Sequence, residues 1–222
     1  MLLRIGHRGA RGHAPENTLA AIERGIALHA HLVEVDVRAT SDGQPVLLHD
    51  ATLDRTTNGH GPIMDQLWSN VQQLRGHDGQ PLPLLADALR TASARIGVMI
   101  EIKTEGIATQ VCRMVRKVQF SGPLIYASFF HDELLAVRRE EPKAQTMALI
   151  EAMPINRTAF VTDAQATHAG VAFETLTPSF LKALHDRSLR VITYTVNEPD
   201  DIQIAKIMGV DGIISDYPDR LL

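Results

Sequence analysis

The feature that most constrains this chain is an alternation. Short apolar runs recur along its 222 residues, with helix-spaced segments between many of them. The runs fall at residues 3–6, 32–37, 46–48, 98–102, 124–127, 146–149, 171–173, 191–195 and 212–215. Between them, Leu19, Ile22 and Ile26 stand at i, i+3 and i+7 behind a cap at Asn17 or Thr18. Phe180, Leu181 and Leu184 follow Thr177-Pro178, a helix start with proline in the first turn. Ile202, Ala205 and Ile207 follow Glu198-Pro199-Asp200-Asp201, whose acidic side chains suit a helix N-terminus. Repeated strand-then-helix units with short connections imply parallel strands. About eight such units favour a closed (β/α)8 barrel of the TIM type over an open sheet, with this chain at the compact end for that fold. One domain is expected over residues 1–222. Residues 51–82 break the pattern with glycines and turn clusters and only weak periodicity around 64–74. They read as a short excursion over the C-terminal mouth of the barrel, with one short helix.

Composition narrows the partners. A net charge of −4 argues against broad nucleic-acid binding, which needs a basic face. No run of about 18 apolar residues is present, so no stable membrane insertion is expected. Met1–Gly6 is interrupted by charge and glycine where a signal peptide needs a longer apolar stretch, and the expected compartment is the cytoplasm. Cys112, the single cysteine, lies in the apolar helical stretch 111–118 and reads as a small buried hydrophobe.

In a parallel barrel the chemistry sits where strands end and βα loops begin. The ends here carry His7-Arg8-Gly9, Glu34-Val35-Asp36, His49-Asp50 and Glu101-Ile102-Lys103, then Ser128, Glu174, Asn197 and Asp216. Glu34 and Asp36 are two residues apart and share one face of a strand, and Glu101 and Lys103 repeat that spacing. Three carboxylates converging on one mouth repel one another unless a cation lies between them. That is the case for a hard divalent metal, Mg²⁺ or Ca²⁺, with Mn²⁺ a further candidate. The alternative is that Glu34 and Glu101 only pair with Arg8 and Lys103. His7 and His49 are the candidate acid and base for a phosphodiester, where one oxygen gains a proton and another loses one. Their places beside Arg8 and Asp50 set them apart from His13, His29, His31, His60, His77, His131, His168 and His185, which read as surface or structural. Arg8 and Lys103 suit an anionic substrate and its more highly charged transition state. No Walker loop, GxGxxG or GxSxG sequence competes with this reading.

These motifs together resemble a known family. His7-Arg8-Gly9, Ala14-Pro15-Glu16-Asn17-Thr18, Glu34-Val35-Asp36-Val37 and Leu47-Leu48-His49-Asp50 resemble the N-terminal signature of the glycerophosphodiester phosphodiesterases. Asp54-Arg55-Thr56-Thr57-Asn58-Gly59, Glu101-Ile102-Lys103, Tyr194-Thr195-Val196-Asn197 and the block from Gly209 to Asp216 continue it in order. The resemblance implies a TIM-type barrel that hydrolyses a small glycerophosphodiester to glycerol 3-phosphate and an alcohol. It places Glu34, Asp36 and Glu101 at the metal positions, and His7 and His49 at the acid–base positions. Arg8 and Lys103 fall at the phosphate positions. Glu16 and Asn17 are expected to position the first βα loop. The short excursion implies an open mouth and soluble substrates. Tyr194 stands where many relatives carry tryptophan, and its ring is expected to pack the glycerol carbons. Phe129 and Phe130 are placed for an apolar wall or for ordinary packing.

Three other readings stay open at this stage: a barrel metallohydrolase on another phosphoester with histidine ligands, a barrel that binds phosphorylated ligands without turnover, and phospholipase D-like action on lysolipids. The last needs an apolar lip that the sequence does not display.

Overall fold

Period-two alternation decides which side chains fill this molecule. The computed structural model describes residues 2–222. Its strands are β1 (Leu3–Gly6), β2 (Leu32–Ala39), β3 (Pro45–Leu47), β4 (Gly97–Ile102), β5 (Leu124–Ser128), β6 (Gln145–Ile150), β7 (His168–Ala172), β8 (Arg190–Tyr194) and β9 (Gly212–Ser215). Eight of them are parallel and close into a barrel, because β1 pairs with both β2 and β9. The helices are α1 (Leu19–Ala27), α2 (Trp68–Val71), α3 (Leu85–Ala92), α4 (Ala108–Val118), α5 (His131–Glu140), α6 (Ala159–Asp163), α7 (Pro178–His185) and α8 (Pro199–Met208).

Ile5, Leu32, Met99, Ile125, Met147, Ile192 and Ile214 fill the barrel interior. The alternate residues Val33, Val35, Val37, Val98, Ile100 and Ile102 face outward and pack with Leu85, Leu89, Val111 and Cys112 of the helices. Each buried aliphatic side chain there contributes about 1.5–3 kcal/mol relative to exposure. On β2 the inward face begins with Leu32, so Glu34 and Asp36 must also point inward, nearer the mouth. Cys112 is buried, and burial pushes its thiol up to about 12, as suits a packing residue.

Helix starts follow the capping signals. The Thr18 hydroxyl accepts from the Ala21 amide, and Thr177 with Pro178 opens α7 in the same way. Gly209 closes α8 in the left-handed region at φ 86°.

The structure departs from expectation in a few places. β3 is antiparallel to β2 and lies outside the barrel, because a tight turn at Thr40–Gln44 returns the chain at once. A parallel neighbour would have needed a crossover. β7 begins at His168, three residues before the expected start, and β8 runs one residue earlier than expected. Ala-Gly-Val is a weak strand signal, and pairing with β6 and β8 overrides it. Residues 51–82 hold a 3-10 turn at Ile63–Asp65 as well as α2. Leu53, Ile63, Val71 and Leu82 of this excursion pack with Val46 and Leu48 of the β3 segment in one small core.

Candidate active site

The first βα loop is bent by residues that tolerate left-handed backbone. Gly9 sits at φ 88° with Ala21 so close that an added Cβ would meet its carbonyl carbon at 2.6 Å. Arg8 and Asn17 also adopt positive φ, at 48° and 56°. The bend turns the Arg8 amide onto Glu34. Arg8 N donates to Glu34 Oε2 at 2.7 Å. Asn17 is buried and grips Asp36 twice, donating to Oδ2 at 2.8 Å and accepting from the Asp36 amide at 3.0 Å.

Glu34, Asp36 and Glu101 converge as expected: each offers an oxygen, and the three oxygens lie within 4.8 Å of one another. The β2–β4 register sets this, since Asp36 is directly beside Glu101. The alternative pairing is realised only in part. Lys103 Nζ lies 2.6 Å from Glu101 Oε1 and 3.3 Å from Asp36 Oδ1, as ion pairs outside hydrogen-bond geometry. Arg8 Nε is 3.2 Å from Asp36 Oδ2, but it meets Glu34 only through its backbone. Glu34 Oε1, Asp36 Oδ1 and Glu101 Oε1 are buried without a hydrogen bond. Lys103 offsets this for Asp36 and Glu101, whereas Glu34 Oε1 is left unmet, which costs several kcal/mol in a dry site. Burial, then repulsion from Asp36 and Glu101, raises Glu34 well above the carboxylate range. Burial likewise raises Glu101 to about 7. Against its own burial, Asp36 is held low by Lys103 and Arg8. Three convergent oxygens with open lone pairs fit a hard divalent cation.

The two histidines flank this cluster without joining it. His7 Nδ1 and Asp216 Oδ1 are 2.7 Å apart, and His49 Nδ1 and Asp50 Oδ1 are also 2.7 Å apart. In each pair the aspartate takes Nδ1 and leaves Nε2 for other work. Arg8 Nε reaches His7 Nε2 at 3.3 Å. Burial pulls both imidazoles below their ordinary value, while the aspartate bonds pull the other way. Asp216 also accepts from Arg11 Nε at 2.7 Å and Asn197 Nδ2 at 3.0 Å. Burial opposes its ionisation, but the bonds from His7 and Arg11 hold it at about 2.

Tyr194 is half-buried on the opposite wall. Its hydroxyl donates to the Ile150 carbonyl at 2.9 Å, and its ring meets Phe129 edge-on at 6.2 Å. Phe129 in turn stands 5.7 Å from Lys103 Nζ. His7, Glu34, Glu101, Met147, Leu149 and Tyr194 share one pocket. His49, Glu16, Asn17, Thr57 and Leu82 share a second, between the first βα loop and the excursion. Phe129 and Phe130, expected as an apolar wall or as ordinary packing, are exposed after β5, and Met153 and Ile155 are exposed after β6. Glu174 is not drawn into the site; it is exposed on a 3-10 turn. Ser128 is spent on the fold, with its hydroxyl donating to the Ile102 carbonyl. His168 is buried, and His13, His60 and His185 pair with Asp219, Asp54 and Asp211.

Sequence reasoning missed Arg38, which donates to the carbonyls of His49 and Lys103 at 2.8 Å each. Its position two residues after Asp36 was the available signal. It also gave no role to Arg11, whose partner lies 205 residues away, or to Arg55, which joins Asp50, 5 residues away, to Glu16, 39 residues away.

The model of the glycerophosphoryl diester phosphodiesterase family matches residues 7–220. The chain belongs to that family. A glycerophosphodiester phosphodiesterase of Caldanaerobacter subterraneus is 28% identical over 98% of this chain and 95% of its own. A phosphodiesterase of Oleispira antarctica, solved in complex with the product sn-glycerol-3-phosphate, superposes with a TM-score of 0.90 at 26% identity, covering 98% of this chain and 94% of that one. The Agrobacterium tumefaciens glycerophosphodiester phosphodiesterase structure gives 0.86 at 28% identity, covering 100% and 99%. The protein is therefore an enzyme of the glycerophosphodiester phosphodiesterase class, with the family's barrel, and its reaction class is hydrolysis of glycerophosphodiesters. No helix among the described residues is long and apolar enough to cross a membrane.

Proposed function

We propose that residues 1–222 act as one barrel domain that hydrolyses small glycerophosphodiesters to sn-glycerol 3-phosphate and an alcohol, using a divalent metal and two histidines. The observation that carries this reading is the convergence of three buried carboxylates, with Glu34 Oε1 unpartnered and Asp36 Oδ1 and Glu101 Oε1 met only by Lys103, near two His–Asp pairs. Glu34, Asp36 and Glu101 would hold Mg²⁺, Ca²⁺ or Mn²⁺. A bound cation there supplies charge for the phosphoryl oxygens and lowers the pKa of an attacking hydroxyl.

The chain's own groups do the rest. Arg8 and Lys103 lose part of their carboxylate pairing when the cluster is neutralised and are then free to hold phosphate oxygens. One imidazole accepts the proton of the attacking oxygen at Nε2, and the other donates from Nε2 to the leaving oxygen. Asp216 and Asp50 each accept from Nδ1, which leaves a lone pair at Nε2 of the accepting ring and steadies the imidazolium form of the donating one. The ring of Tyr194, with its hydroxyl spent on Ile150, packs the glycerol carbons. The short excursion leaves the mouth open to soluble head groups, and the compartment proposed is the cytoplasm.

The test is release of glycerol 3-phosphate from glycerophosphocholine, glycerophosphoethanolamine and glycerophosphoglycerol. Chelator should abolish it, and Mg²⁺, Mn²⁺ or Ca²⁺ should restore it. Full turnover in excess chelator would remove the metal from the mechanism.

A further inference from the structure

We propose that Arg55 is a positioning residue for this reaction, a single guanidinium that ties the group orienting His49 to the group orienting Arg8. The inference rests on the function proposed above. Arg55 Nε donates to Asp50 Oδ2 at 2.6 Å, and its Nη2 to Asp50 Oδ1 at 3.1 Å. The same Nη2 donates to Glu16 Oε1 at 2.7 Å, and Nη1 to Glu16 Oε2 at 3.1 Å. Both carboxylates are therefore gripped by two donors each. Asp50 Oδ1 also takes His49 Nδ1, and Glu16 Oε1 takes Arg8 Nη1 at 2.8 Å. A continuous chain of charged bonds runs from His49 through Asp50, Arg55 and Glu16 to Arg8.

An isolated surface ion pair would not support such a role, since exposed pairs contribute little. This one differs in its partners and its anchorage. Arg55 is half-exposed, but Glu16 and Asp50 are at 17% and 28% side-chain exposure, and each already serves a site residue. The Arg55 backbone is held as well, because its carbonyl lies 2.7 Å from His77 Nε2. Asp50 is held well below the carboxylate range, chiefly by Arg55, so it stays an acceptor for His49. Among the described residues, no other bond in the structure joins Asp50 to Glu16. The excursion that carries Arg55 thus sets the spacing between a proton-transfer group and a phosphate-binding group. Lysine cannot replace the fork, because one ammonium does not present paired donors to two carboxylates.

The experiment measures kcat and KM for glycerophosphocholine at saturating Mg²⁺, together with the His49 tautomer by ¹⁵N NMR of histidine-labelled protein, assigned with His49→Gln. Arg55→Ala should lower kcat/KM by about 10-fold, in kcat through His49 and in KM through Arg8, with Tm within about 2 °C of the parent. Arg55→Lys should recover less than half of that loss, and added guanidinium at millimolar concentration should recover more of it in Arg55→Ala. In the Asp50→Asn/Glu16→Gln background, Arg55→Ala should cost less than about 2-fold further, since its route is already cut. The His49 spectrum should pass from one Nδ1-protonated tautomer to a mixture. Unchanged kinetics with an unchanged tautomer overturn the proposal, as does a loss that multiplies in full in the double-variant background. The NMR arm needs no turnover. If no glycerophosphodiester is hydrolysed, the functional reading fails and the tautomer still decides the clamp.

Discussion

His7 and His49 each stand 2.7 Å from an aspartate through Nδ1, and the two pairs are built in opposite ways. His7 ends β1 and finds Asp216 just past β9, 209 residues along the chain. That pair spans the barrel's closing seam and is enclosed, with the His7 side chain 14% exposed. Arg11 and Asn197 complete its surroundings. His49 takes its partner from the next residue, lies outside the barrel past β3, and is 33% exposed. Its backbone is pinned by Arg38 and its aspartate by Arg55, both from neighbouring segments. One imidazole is placed by barrel closure, and the other by local bonds on an appended flap. Disturbing the first should cost stability as well as rate, and disturbing the second should cost rate alone.

The largest effects test whether both members matter. His7→Ala and His49→Ala should each lower turnover by about 100-fold or more while circular dichroism stays unchanged. Near-parental activity in either variant takes that histidine out of the mechanism. The next pair tests the contrast itself. Asp216→Asn should lower kcat by about 10-fold or more and Tm by about 5 °C, because three side-chain bonds, two of them across the seam, lose a charged acceptor. Asp50→Asn should lower kcat by about 10-fold with Tm shifted by less than about 2 °C. Equal Tm shifts in the two variants would break the comparison.

Acid sharpens it further. Asp216 is held at about 2, below its ordinary value, by His7 and Arg11. A depressed carboxylate contributes stability that is fully present above its unfolded value and is lost as pH falls through the folded one. Thermal melts from about pH 5 down to 2 should therefore fall more steeply for the parent than for Asp216→Asn. Parallel curves would show that the seam pair does not carry this stability. The smallest effect lies across the mouth. Tyr194→Phe removes one bond to the Ile150 carbonyl and should cost about 1 kcal/mol in a denaturant melt. Its kcat/KM should change by less than about 3-fold, because the ring is the part assigned to substrate.

Much of the site was legible because strand ends carry it. Period two put Glu34 and Asp36 on one face, and Glu101 with Lys103 followed the same rule. The same rule reaches Arg38, two residues after Asp36, which donates to the carbonyls of His49 and Lys103. The strand at 46–48 looked like one more barrel unit, since three apolar residues carry no sign of direction. Only the turn at Thr40–Gln44 makes β3 antiparallel and sets His49 on the flap. Phe129 and Phe130 are placed by the sequence for an apolar wall or ordinary packing, whereas nothing in the sequence marks Met153 and Ile155, which the fold exposes after β6.

By itself, the sequence determined the barrel, the family and the identity of the charged residues at its mouth, because alternation and short motifs are local and repeat along the chain. The tertiary structure decided which charges meet. The partnership of His7 with Asp216 needs the first and last strands to pair, and the bridge from Asp50 to Glu16 needs the excursion to fold back over the first loop. The same holds for the convergence of the three carboxylates, which the β2–β4 register brings about by setting Asp36 beside Glu101. Contacts between residues far apart in the chain follow from closure and register, and neither is written in any short stretch of residues.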